Sequence, residues 1–202
     1  MLFKLTEKIN IHLSSPIRVE TKIQHQLELR FNASKKINIP KIPEGFVLRT
    51  YSSKDQNSLI ELLNGVGFSL DINYLQTVLA ICLPKGCFII EDIKTKKIVS
   101  MMMSRHLSNK DHPFGGRIDW LATDKNYRGI GLGLISAFHA TKRLEEAGYE
   151  NIWVTTDDHR IGALKIFYHL GYRPFLNTNT IQRWENIYKV LGLEQKELED
   201  YY

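Results

Sequence analysis

Apolar residues recur along this chain at two spacings, and the change from one to the other marks its parts. Residues 1–44 carry short alternating pieces, "KINIHL", "QLELRF" and "KINI", separated by "SSP", "NASKK" and "PKIPEG". Alternation turns one face of an extended backbone apolar, so these residues read as an N-terminal extension of short extended segments and a linker. A small hairpin packed on the main domain, an added part of the sheet and a dimer contact are all compatible with it. "FVLRTY" follows as the predicted first core strand. Helical spacing then appears over 54–66 (Leu59, Leu62, Leu63, Val66) and again over 71–83, where Asp71 stands at the N-cap position. "CFIIEDI" and "KIVSMMMSRHL" are predicted strands joined at the polar turn "KTKK", and "RIDWLAT" is a third strand after "DHPFGG".

From residue 131 the order changes. A helix over 131–147, the strand "NIWVTT", a helix over 160–170, the strand "YRPF" and a helix around "IQRWENIYKVLGL" follow in turn. Gly148 and Gly171 occupy C-capping positions. The pattern predicts a mixed α/β domain over 45–192, with antiparallel strands first and β-α-β-α-β afterwards, and an acidic tail over 193–202.

Composition narrows the class. With 202 residues, 43% hydrophobic and 24% charged, the chain suits one soluble domain. No apolar run approaches the ~20 residues of a membrane helix, and the N-terminus lacks the apolar core of a secretory signal. A cytoplasmic protein without a membrane partner is expected. Cys82 and Cys87, a C-x4-C pair without companions, read as buried free thiols, and no metal site is expected. The net charge of +5 is spread along the chain without a basic block, and no nucleic-acid motif accompanies it. An anionic small ligand accounts for it as well as nucleic acid does.

The candidate chemistry lies in "NYRGIGLG", a glycine-rich turn between the strand "RIDWLAT" and the helix from 131. Such a turn offers backbone N–H groups and a helix N-terminus to an anion. The dinucleotide fingerprint starting at Gly129 would need glycine where Leu134 stands, and the G-K-[S/T] ending of the NTP loop is missing. "RGIGLG" instead resembles the [Q/R]-x-x-G-x-[G/A] pyrophosphate loop of the GNAT superfamily of acyl-CoA-dependent N-acetyltransferases, with Arg128, Gly131 and Gly133 at its defining positions. "IDWLATDKNYRG" and "TTDDHRIGALKIFYHLGYRP" are similar to the neighbouring motifs of that family, in the same order, and the likeness covers roughly 45–176.

The resemblance implies a fold and a site. The fold is a GNAT-like, mostly antiparallel central sheet, splayed at the cofactor strand and flanked by helices. Acetyl-CoA would be the cosubstrate, its diphosphate held by main-chain N–H groups of Arg128, Gly129, Ile130, Gly131, Leu132 and Gly133. Its pantetheine arm would lie along Trp120, Leu121 and Ala122, where the strand at Ile152–Thr155 splays away. Lys125 or Lys142 could meet the 3′-phosphate. The acceptor would be a primary amine, whether a small amine or a protein N-terminus or lysine; the alternative is an acyl-CoA-binding protein with weak or no transferase activity. A homodimer is left open.

Two positions depart from the family pattern N-x-x-A-x-x-L-Y. Arg160 stands at the asparagine and Phe167 at the tyrosine that serves as acid, both beside the expected cofactor path. Tyr168 comes one residue late, about 100° round the helix; it is the candidate acid, with a packing role as the competing reading. Asp119 is the first candidate base, placed by strand alternation on the face of Leu121 and opposite Trp120. Glu91, His106 and His112 are alternatives. Asp157 and Asp158 read as capping carboxylates for the helix at 160. The early helices and the turn "SNKDHPFGG" should form the acceptor pocket, and residues 1–44 could cover that side.

Overall fold

Alternating and helical stretches of the chain fold around one seven-stranded sheet. A computed structural model describes residues 25–32 and 37–194. The elements in chain order are β1 (Leu27–Phe31), β2 (Phe46–Thr50), α1 (Gln56–Gly65), α2 (Ile72–Ala80), β3 (Cys82–Asp92), β4 (Ile98–His106), β5 (Gly115–Thr123), α3 (Leu132–Glu146), β6 (Asn151–Thr156), α4 (Ile161–His169), β7 (Tyr172–Pro174) and α5 (Ile181–Leu191). Strand order across the sheet is β2-β3-β4-β5-β6-β1-β7. Every neighbouring pair is antiparallel except β5 and β6.

That parallel pair is brief. Gly115, Gly116 and Arg117 align with Asn151, Ile152 and Trp153, and no pairing continues beyond them although both strands do. The two strands therefore diverge toward their C-terminal ends, as expected for a sheet splayed at its cofactor strand.

Side-chain alternation divides the core between the two faces. On one face Leu27, Leu29, Met102, Ile118 and Val154 pack beneath α3, α4 and α5 through Phe138, Leu164, Phe167 and Trp184. On the other, Met101, Met103, Ile89 and Ala122 meet Leu59, Leu63 and Leu75 of α1 and α2. Asp71 caps α2 by accepting from the Tyr74 N–H at 2.8 Å, and Gly148 and Gly171 follow α3 and α4 with positive φ.

Three local expectations are corrected. The second helix ends at Ala80 rather than 83, because Cys82 already pairs with Arg105 in the sheet and Pro84 cannot extend a helix. Asp157 and Asp158 do not cap α4. Asp157 pairs with Arg160 at 3.2 Å and accepts from Gln26, while Asp158 accepts from Arg183 Nε at 2.9 Å. Of the early alternating pieces, "QLELRF" forms β1, set between β6 and β7; "KINIHL" lies outside the described residues, and Ile37–Ile39 form no strand.

Candidate active site

The glycine-rich turn folds as its letters suggest. After β5 a single 3-10 turn over Lys125–Tyr127 leads to Gly129 and Gly131, with φ of 84° and 89°. Only glycine adopts that left-handed backbone without strain, and open space surrounds the position of a Cβ at either residue. Gly131 is the N-cap of α3, so the amides of the helix's first turn have no partner within the helix. They line a cavity of about 650 Å³ with Arg128, Leu121 and Arg160. A diphosphate fits such a cradle: donors converge on it and no Cβ fills it. Gly133 serves a different end. A Cβ there would meet Ile166 and Thr123 at 3.1 Å, so its small size lets α3 approach β5 and α4. Lys142 is taken by Glu145 at 2.8 Å, and Lys125 is exposed.

The cavity runs along β5 toward the split. There a second hollow of about 160 Å³ opens between β5 and β6, sharing Phe68, Leu121, Arg160 and Ala163 with the first. Beside it β5 bulges. Met101 pairs with Ala122 and Met103 with Asp119, so Trp120 and Leu121 together oppose Met102 alone. Trp120 takes a positive φ of 61°, a strained conformation for a large residue. Its ring lies between Phe68 and Tyr74, 6.0 Å from each, on the side of α1 and α2. Leu121 faces α3 and α4.

The bulge corrects the expected placement of Asp119. Strict alternation pairs it with Leu121, but the extra residue returns Asp119 and Trp120 to the same side, and both line the small hollow. Asp119 is also occupied: Arg105 Nε bonds its Oδ2, and Arg117 Nε lies 2.9 Å from its Oδ1. A carboxylate shared by two guanidinium groups makes a poor general base. The alternatives are spent as well. Glu91 accepts from Arg49, and His106 bonds Tyr149 at 3.0 Å. His112 is buried, stacked on Trp153 at 4.4 Å and bonded to Asn151 and Glu28.

Tyr168 does not reach the split, contrary to its candidacy as the acid. It packs edge-on against Tyr188 of α5, with the Arg173 guanidinium 4.2 Å over its ring. Phe167 occupies the site side, buried against Tyr172 at 5.7 Å and lining the small hollow. The one-residue offset on the helix decides this. Neither thiol offers a nucleophile: burial pushes Cys82 up to about 11 and Cys87 higher still. Among the described residues no group of histidine, cysteine and acidic side chains could hold a metal ion.

Sequence reasoning overlooked Phe68, Gln26 and Arg117. Arg117 had a signal, since it lies two residues before Asp119 on a strand already singled out. Gln26 had none, because 129 residues of chain separate it from the Thr155 hydroxyl it accepts from at 2.8 Å.

Residues 59–172, more than half of the chain, match the family model described as Acetyltransferase (GNAT) family. The chain belongs to that family. Its fold is shared with a GCN5-related N-acetyltransferase of Sphaerobacter thermophilus, at 15% identity and a TM-score of 0.61, over 75% of this chain and 50% of that one. An acetyltransferase of Trypanosoma brucei matches at 20% identity and a TM-score of 0.51, over 66% of this chain and 96% of that one. A chain of the NatC complex bound to Gag peptide and CoA matches at 17% identity and a TM-score of 0.58, over 65% and 86%. The present chain thus spans half the length of the Sphaerobacter protein. No curated protein matches its sequence. No helix among the described residues is long and apolar enough to cross a membrane.

Proposed function

We propose that this protein transfers an acetyl group from acetyl-CoA to a primary amine. The observation that carries this reading is the continuity of the groove, from the left-handed turn at Gly129 and Gly131 to the hollow between β5 and β6. The first-turn amides of α3 would hold the diphosphate, and the edge of β5 at Trp120, Leu121 and Ala122 would align the pantetheine arm as an added strand. Bound there, acetyl-CoA supplies an activated acyl carbon. The amine nitrogen would form its bond to that carbon as the carbon–sulfur bond breaks; the nitrogen would give its proton to water, and water would return one to the thiolate. A thiol of pKa ~8.5 leaves without an acid, which suits the phenylalanine at 167. The free thiols of Cys82 and Cys87 agree with a cytoplasmic setting.

Phe167 and the occupied Asp119 favour a second reading, an acyl-CoA-binding protein with little transferase activity. Acceptor-dependent release of free thiol separates the two. Acetyl-CoA binding itself is tested by thermal unfolding. Ligand at ~100 times its dissociation constant adds about 2.7 kcal/mol to the folded state. Gly131→Glu, compared with its own ligand-free transition, should lose that shift. A native protein that shows no shift in millimolar acetyl-CoA would sink both readings.

A further inference from the structure

The small hollow between β5 and β6 is charged in a way that bears on the acceptor. Arg105 and Arg117 share the single carboxylate of Asp119, so the trio carries one net positive charge. All three side chains are largely buried, at 16%, 18% and 9% exposure. A cation withdrawn from water needs a full set of partners, and the cost of leaving it short is several kcal/mol.

Arg117 is short of partners. Its Nη2 donates to Thr155 Oγ1 at 2.8 Å, and its plane lies 4.7 Å over the Trp153 ring. Its Nε is near Asp119 in distance but outside hydrogen-bond geometry, and it is buried with no other acceptor among the described residues. Among the described residues Nη1 makes no hydrogen bond. Burial pushes its pKa down and the neighbouring Arg105 adds to that, with Asp119 and the more distant Glu28 opposing; Glu28 is itself paired with Arg30, and an arginine stays charged. Arg160, at the mouth of the same hollow, is matched by Asp157 and changes nothing in the balance.

What would complete the site is a monoanion that reaches Arg117 from the open end, beside Thr155 and Gln26. The planar guanidinium fork fits a carboxylate. On the transferase reading, the acceptor amine enters this hollow to meet the acyl group at the bulge of Trp120. The geometry points to an acceptor that carries a carboxylate beside its amine: a small amino acid or a similar amino carboxylate, bound through Arg117. Polyamines and other polycationic amines are the class this hollow repels. The inference rests on the transferase reading and adds the acceptor class to it.

The test pairs free α- and ω-amino acids with their amides, adds spermidine and 2-aminoethyl phosphate, and follows thiol release and acetylated products with acetyl-CoA. The acid of a pair should exceed its amide by roughly tenfold or more in kcat/KM, the worth of about one charge-assisted hydrogen bond. Arg117→Gln should shrink that difference, raising KM for the acid by a larger factor than KM for the amide. The acid–amide comparison in the native protein stands by itself if the variant folds poorly. Equal or better use of amides, of spermidine or of the phosphate overturns the inference. So does a protein that is stabilised by acetyl-CoA yet acetylates no member of the panel. Absence of acetyl-CoA binding would instead overturn the transferase reading, and this inference with it.

Discussion

Phe167 and Tyr168 stand side by side in the chain and turn to different surroundings. The Phe167 ring packs on Tyr172 and closes the hollow between β5 and β6, while Tyr168 meets Tyr188 under the guanidinium of Arg173. Tyr168→Phe should therefore leave kcat unchanged. Phe167→Tyr brings a hydroxyl to the family position. Because the thiolate leaves readily without help, kcat should change by less than about threefold at neutral pH. A large loss in Tyr168→Phe would return that residue to the chemistry and contradict its placement.

The state of Asp119 sets the pH dependence. With its carboxylate held by Arg105 and Arg117, Asp119 should not take the proton of the incoming ammonium. Only the free amine reacts, and with an amine pKa near ~10 its fraction grows about tenfold per pH unit. The profile of kcat/KM should climb with that slope from pH ~6 toward ~9. A plateau setting in near pH ~7 would reveal an enzymic base and remove the premise.

A separate ion pair governs stability in acid. Arg49 donates through Nη1 and Nη2 to the two oxygens of Asp55, at 2.7 and 2.8 Å, and the Ser52 amide and hydroxyl add two further bonds. Those bonds, Arg49 foremost, hold the Asp55 carboxyl well below the ordinary carboxylate range, at about 2, against the opposing effect of burial. Its folded pKa is depressed, so the unfolded chain takes the proton first as pH falls. The pair contributes about 2 kcal/mol above pH ~4, and that contribution fades as pH falls through ~2. Urea unfolding across this window should show the decline, and Asp55→Asn should be less stable at pH 7 with a flatter profile. An unaltered profile in the variant would mean that other carboxylates carry the acid sensitivity.

How much of this was legible in the letters follows from the range of each interaction. Asp71, Gly131, Gly148 and Gly171 act within one turn of their own helix ends, so local chemistry identifies them. The turn from β5 into α3 is local in the same sense. The bulge at Trp120 is not. Two residues oppose one only because β4 lies alongside, and the face of Asp119 follows from that count. The ion partners of Asp119 are harder still, since Arg105 belongs to another strand. The position of β1 is beyond local reading, because alternation in "QLELRF" says strand without saying which strands flank it.

That position yields the last prediction. Sequence boundaries suggest an acetyltransferase domain beginning at residue 45, yet β1 lies between β6 and β7 and hydrogen-bonds to both. Leu27 and Leu29 are buried at 0% and 1% exposure in the core beneath α3 to α5. Removing residues 1–44 takes away these side chains and leaves two strands with unpaired edges, one of them in the centre of the sheet. Such a chain should lack cooperative unfolding and collect in the insoluble fraction. In the full chain, Leu29→Ala should cost about 2–5 kcal/mol, as for other fully buried leucines. Leu29 aligns with Val154 on β6, the strand whose divergence from β5 opens the hollow. The damage should therefore reach acetyl-CoA stabilisation as well as the melting temperature. A chain from residue 45 that unfolds cooperatively and is stabilised by acetyl-CoA would show that β1 is an accessory strand, and that β6 and β7 hold their places without it.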